Sequence, residues 1–190
     1  MHIEVVHGSV IDAQSGAIML TVDGASQGLE GNIARAFSRK YPDAWEELEY
    51  DIEYPMSLGV ARMYAIDHEL ECPFSHCVVA STLNHIDTLS DLEKIQVIST
   101  ALNSTLALAS SKRLGSVCSG ILSGGWRLEI EEAFSAMVRV YQSFVSGRPA
   151  SSVLKIYILG DKEFKSIGSF IEKHYQVELN DGDFYRIGCS

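Results

Sequence analysis

Short apolar runs repeatedly give way, across a turn, to residues spaced as a helix, and this alternation constrains the fold more than any other feature. Strands followed by helices imply a largely parallel sheet covered on both faces. The runs Ile3–Val6, Ala17–Val22, Val60–Ile66, Cys77–Ser81, Val117–Ile121 and Val153–Leu159 read as strands. Helical spacing runs from about Glu30 to Tyr41, from Ser90 to Leu108, from Glu129 to Phe144 and from Glu163 to His174. Ser90 followed by Glu93 is a capping-box pattern, and Leu92, Ile95, Ile98, Leu102 and Leu106 fall on one side of that helix. The stretch Asp43–Glu53 is acidic and reads as a solvated helix or loop. Val153–Leu159 is a continuous apolar run of the fully buried type. In the tail, Val177–Ile187, the triplet Asn180-Asp181-Gly182 marks a hairpin or turn at a sheet edge.

A chain of 190 residues, 46% of them hydrophobic, is enough for one core and too short to require two domains. The formal net charge of −10, with no cluster of Lys and Arg, argues against a nucleic-acid backbone or an anionic membrane as partner. The amino-terminal residues are too polar for a signal-peptide core and no apolar stretch is long enough to span a bilayer, so a cytoplasmic protein is expected. Cys72, Cys77, Cys118 and Cys189 show neither C-x-x-C pairing nor zinc-ligand spacing. Free thiols are expected, with no metal and no cofactor. Nothing in the sequence sets an oligomeric state.

Two turns carry the chemistry. Gly24 to Gly31 follows the second strand, and Ser123-Gly124-Gly125-Trp126-Arg127 follows the strand ending at Ile121; each opens a helical pattern. The first turn of a helix leaves backbone N–H groups unpaired and carries partial positive charge, so two such turns are suited to hold a diphosphate between them. The spacing is not the G-x-G-x-x-G of a Rossmann turn, and no G-K-[ST] of a phosphate-binding P-loop occurs.

In order along the chain, Gly8-Ser9-Val10 after the first strand, Leu29-Glu30-Gly31-Asn32-Ile33-Ala34-Arg35-Ala36, Leu58-Gly59-Val60-Ala61-Arg62-Met63-Tyr64, Ser123-Gly124-Gly125-Trp126 and Ile156-Tyr157-Ile158-Leu159-Gly160-Asp161-Lys162-Glu163-Phe164 resemble the macro domain family. The resemblance covers about the first nine tenths of the chain. It implies a three-layer α-β-α fold with a mixed, largely parallel sheet, spanning residues 1–174, with residues 175–190 as a carboxyl-terminal edge extension of the same domain. It also implies a ligand of the ADP-ribose type, free or protein-linked. The ligand-binding residues it implies are Ser9, Val10, Gly24, Gly31, Asn32, Ile33, Ser123, Gly124, Gly125 and Trp126, the last beside the distal ribose.

The departures from the family are equally specific. Ser9 stands where the family commonly has an Asp that accepts a hydrogen bond from the adenine amino group, and a hydroxyl lacks that charge assistance. Thr21-Val22-Asp23-Gly24 replaces the Asn-Ala-Ala-Asn of many hydrolytic members. The first loop has no lysine, and Ser123 to Arg127 no acid, the pair used by another hydrolytic subgroup. If the chain hydrolyses an ADP-ribosyl bond, Asp23 is the candidate to orient the ribose or activate water; the other reading is a tight turn capped by its side chain. His85, near Asp87, suggests a general-base pair at the pocket rim, with no Ser or Cys nucleophile placed beside it. An ordinary surface loop is the competing reading. Three classes of function remain: a nucleotide-binding module, an ADP-ribosyl hydrolase with atypical catalytic residues, and a degenerate macro-like domain used for protein association.

Overall fold

The computed structural model describes residues 2–27, 31–123, 125, 127–146 and 152–189. Among them lie strands β1 (His2–His7), β2 (Ala17–Asp23), β3 (Ala61–Ala65), β4 (His76–Leu83), β5 (Ser116–Gly120), β6 (Val153–Ile158), β7 (Val177–Asn180) and β8 (Phe184–Gly188). The helices are α1 (Asn32–Lys40), α2 (Pro42–Asp51), α3 (Asp91–Ser111), α4 (Ile130–Ser146) and α5 (Asp161–His174).

The strands form one sheet in the order β3-β4-β2-β5-β6-β1-β8-β7. The five central strands, β4, β2, β5, β6 and β1, run parallel, while β3 and β8 flank them antiparallel and β7 pairs antiparallel with β8. Alternate side chains of β2 divide between the two faces: Ile18, Leu20 and Val22 pack with Phe37 of α1 and Trp45 and Leu48 of α2, whereas Met19 packs with α3 and α4. The result is a three-layer α/β domain with a mixed, largely parallel sheet.

Several elements depart from the sequence pattern, each for a packing reason. The acidic stretch is a helix, α2, with a buried face: Pro42 presets its first turn, and Ala44, Trp45 and Leu48 point inward beneath the carboxylates. Leu92 is 76% exposed, because it sits in the first turn of α3 at the margin of the stripe that buries Ile98, Leu102 and Leu106. β6 is half-covered rather than fully buried. Leu154, Ile156 and Ile158 are buried while Val153, Lys155 and Tyr157 are not, because the α1–α2 layer packs on the β2–β4 side of the sheet. On the face it leaves, Glu4 pairs with Lys155 at 3.5 Å and with Arg186 at 3.3 Å. The carboxyl-terminal hairpin puts β8 directly beside β1, with Tyr185 and Ile187 in the core.

Because the central strands are parallel, their carboxyl ends, at His7, Asp23, Leu83, Gly120 and Ile158, share one edge of the sheet. Ligands of such sheets bind outside that edge. No described helix is long and apolar enough to cross a membrane.

Candidate functional site

Two adjoining cavities open along this edge, of about 300 Å³ and 260 Å³. Thr21, Val22, Thr82, Leu83, Leu122 and Gly125 wall the first, between the ends of β2, β4 and β5. Gly8, Ser9, Val10, Tyr157, Leu159 and Glu163 wall the second, between the ends of β1 and β6 and the start of α5. Asn32, Ile33 and Ile121 border both, so the two form one groove with a waist.

The waist is the first turn of α1. Gly31 is its N-cap, no side chain caps it, and no acid stands in its first turn. The Gly31 N–H donates to Thr21 O at 3.0 Å, which pins the turn onto β2. The backbone N–H groups that follow have no intrahelical partner and end at the groove. Partial positive charge is therefore placed where the two cavities meet.

At the end of β2 the pairing with β4 slips, from Val22 opposite Ser81 to Asp23 opposite Leu83. This extra residue on β4 bends the ladder and turns the following chain. Gly24 fills the bend. A Cβ there would stand 2.1 Å from Ser81 Oγ and 2.2 Å from Met56 O, so only glycine fits between those neighbours.

Asp23 is 3% exposed and accepts three hydrogen bonds: from Ala25 N at 2.8 Å, His85 N at 2.8 Å and His85 Nδ1 at 3.1 Å. A carboxylate only accepts, so a neutral His85 carries its proton on Nδ1 and keeps a lone pair on Nε2. The His85 side chain is 52% exposed. Asp87 has a different partner, the amide of Asn84 at 3.1 Å.

Of the residues singled out from sequence, Ser9, Val10, Gly31, Asn32, Ile33 and Gly125 line the groove together. Gly24 lies behind it in the bend, and Asp23 beneath the turn. Ser123 accepts from Leu128 N through its carbonyl at 3.2 Å, closing the turn ahead of α4. Gly124 and Trp126 lie outside the described residues. Thr82, Leu83, Tyr157 and Glu163 were not singled out as site residues from the sequence; they enter the groove because distant strands end, and α5 starts, at one edge of the sheet. Burial, with Cys118 and Glu4 nearby, raises the Tyr157 phenol above its ordinary value, so it remains a neutral wall. The Cys118 thiol is pushed up to about 12, chiefly by burial. Among the described residues no cluster of His, Cys, Asp and Glu is arranged to hold a metal ion.

Several solved structures share this architecture. A Trypanosoma brucei macrodomain in complex with ADP-ribose superposes with a TM-score of 0.70 at 16% identity, over 88% of this chain and 68% of that one. The fold is that of macrodomains. An Oceanobacillus iheyensis macrodomain matches with a TM-score of 0.71 at 14% identity, over 91% of this chain and 99% of that one. The macrodomain of Mycobacterium tuberculosis DarG matches at 0.60 and 20% identity, over 82% and 98%. No family model matches the sequence, and no curated protein matches it. The macrodomain likeness is thus carried by backbone geometry, with few identical residues.

Proposed function

We propose that this chain is a divergent macro domain that binds ADP-ribose or a related diphosphate nucleotide, free or protein-linked, along the groove. The observation that carries the reading is the waist: an uncapped helix start, free of acids, between two cavities. A ligand with an anionic centre and two bulky ends matches that layout, the amide dipoles facing the diphosphate and each cavity taking one nucleoside or ribose. Among the described lining residues Glu163 is the single charged one, so the anion is held by backbone dipoles. That the Trypanosoma brucei macrodomain was solved with ADP-ribose and with ADP supports the same ligand class.

Calorimetric titration with ADP-ribose, with AMP and ADP as controls, tests it. Binding in the micromolar range is expected. An Asn32→Glu variant introduces an acid that the helix start accommodates but that stands against the diphosphate, and should weaken binding by at least about tenfold. Absence of binding by the parent protein rejects the reading.

Hydrolysis is a second reading, and the Asp23–His85 pair favours it. In this scheme His85 Nε2 takes the proton of a water whose oxygen bonds to the anomeric carbon of the distal ribose as the bond from that carbon to the modified side chain breaks; the imidazolium then returns the proton to the departing side-chain atom, and Asp23 acts as a positioning residue. His85→Ala is expected to lower kcat for release of ADP-ribose from modified protein by about a hundredfold or more with KM nearly unchanged. Unaltered turnover in that variant removes His85, and with it Asp23, from the chemistry.

A further inference from the structure

The groove has a chemically distinct mouth at the end of β4. Six large apolar side chains stand exposed among the described residues, and three of them belong to the segments around that strand end. Val60 lies beside Ser81, whose N–H donates to its carbonyl at 2.9 Å. Ile86, 71% exposed, follows His85 directly, and Leu92 stands in the first turn of α3. The other three, Tyr50, Leu159 and Leu179, are spread over α2, the turn after β6 and β7. Scattered apolar side chains are ordinary on a surface, whereas a gathering at one opening marks a face that takes a partner. The exposure is also ordered: Ile86 N donates to Asn84 Oδ1 at 2.9 Å, His85 N donates to Asp23 Oδ2 at 2.8 Å, and Ser90 and Glu93 cap the start of α3 reciprocally. Little further ordering accompanies contact with such a segment. Its charge is acidic. Residues 84–93 include Asp87, Asp91 and Glu93 and no Lys or Arg, and the Lys94 that follows is held by Asp91 at 2.7 Å.

Resting on the nucleotide reading, we infer that the ADP-ribosyl group arrives on a protein and that Ile86 and Leu92, with Val60 at their flank, dock the carrier residues beside the modified side chain, favouring flanks that are aliphatic and basic. The attachment point dictates the place. A linked side chain leaves ADP-ribose at the anomeric carbon of the distal ribose, which the His85 scheme sets at the end of β4, so the carrier chain emerges past His85 and onto the segment that follows it. Aliphatic flanks lose water against Ile86 and Leu92. Lys or Arg flanks meet Asp87 and Asp91, and the net charge of −10 draws a basic carrier toward the molecule. A nucleic-acid carrier would bring phosphates against the same carboxylates and is opposed. Free ADP-ribose ends at the ribose and leaves this face unused, which makes the docking face separable from the groove.

The experiment is calorimetric titration of three probes: free ADP-ribose and two short peptides of equal length, each carrying ADP-ribose on its central residue through a hydrolysis-resistant linkage. One peptide is flanked by Leu and Lys, the other by Ser and Glu. The parent protein is expected to bind the Leu/Lys peptide at least about tenfold more tightly than either free ADP-ribose or the Ser/Glu peptide. The double variant Ile86→Ser with Leu92→Ser changes only exposed positions, so it should bind free ADP-ribose within about twofold of the parent, while the advantage of the Leu/Lys peptide over free ADP-ribose falls below about threefold. Equal binding of all three probes by the parent, tighter binding of the Ser/Glu peptide, or an undiminished advantage in the double variant overturns the inference while leaving the groove reading intact. Failure of the parent to bind any of the three overturns both.

Discussion

Asp23 shows how one residue can serve stability and a site together. Three donors converge on its buried carboxylate, so Asp23→Ala removes the acceptor of three part-buried N–H groups and should destabilise the fold by about 1–2 kcal/mol, read as a lower urea midpoint at unchanged m-value. A cost below about 0.5 kcal/mol would mean that water satisfies those donors instead. The cysteines give a second residue-scale expectation. With Cys118 near 12 and Cys77 raised still by burial, both are protonated at pH 8 and closed to solvent, while Cys72 is half-buried. A thiol reagent should therefore label Cys72 first in the native protein and reach Cys77 and Cys118 only on unfolding; rapid native labelling of Cys118 would contradict its placement under Val10. At this scale the sequence was informative where chemistry is local. Ser9, Gly31 and Asn32 could be singled out because the family resemblance is carried by short runs of adjacent residues. The pairing of Asp23 with His85 could not, since it depends on β2 and β4 ending together and on a bulge that no local pattern records. Glu163 was hidden similarly: it reads as an ordinary first-turn acid until α5 is set beside the turn after β1.

At the scale of elements, α3 is held at its start by a reciprocal cap. Glu93 N donates to Ser90 Oγ at 3.4 Å, and Ser90 N donates to Glu93 Oε2 at 2.8 Å. Ser90→Ala should cost about 1 kcal/mol. The Ser90 hydroxyl and N–H hold the Glu93 carboxyl below its ordinary value. A carboxyl depressed in the folded state adds stability that is fully present above its unfolded value of 4.5 and is lost as pH falls through the lower folded value. The stability difference between parent and Glu93→Gln should therefore shrink as denaturation is measured at successively lower pH; a difference constant from pH 7 to pH 3 would mean that the charged cap contributes nothing. This cap was legible from two residues, and the alternation of strand and helix was legible for the same reason, that hydrophobic period is a short-range signal. Three-dimensional coverage was not. The buried face of α2 hides among carboxylates, and the apolar run of β6 looks the same whether one face or both is covered.

For the whole molecule, the decisive arrangement is that the groove borrows from nearly every strand end and that the carboxyl-terminal hairpin is built into the sheet. His7, the last residue of β1, lies 3.1 Å from both Asp161 of α5 and Asp183 of the β7–β8 turn and stacks on Phe164 with ring centroids 4.8 Å apart. The second cavity begins at the next residue. We therefore propose that residues 175–190 fold with the rest as one cooperative unit rather than as a detachable extension. Ile187→Ala, which empties a fully buried site beside Ile3, should cost about 3 kcal/mol and lower the single unfolding transition as a whole. Ligand binding provides the complementary test, because a molecule seated across both cavities touches the ends of β1, β2, β4, β5 and β6 and stabilises only the state in which all five are aligned. At a nucleotide concentration a hundred times its Kd the gain is about 2.7 kcal/mol, or roughly 5–10 °C in Tm for a domain of this size. ADP-ribose should raise the melting temperature by that amount and ribose alone should not, since a sugar without the diphosphate engages one cavity and leaves the helix start at the waist uncompensated. An equal shift with ribose would place the binding energy in a single cavity and argue against a ligand that spans the groove.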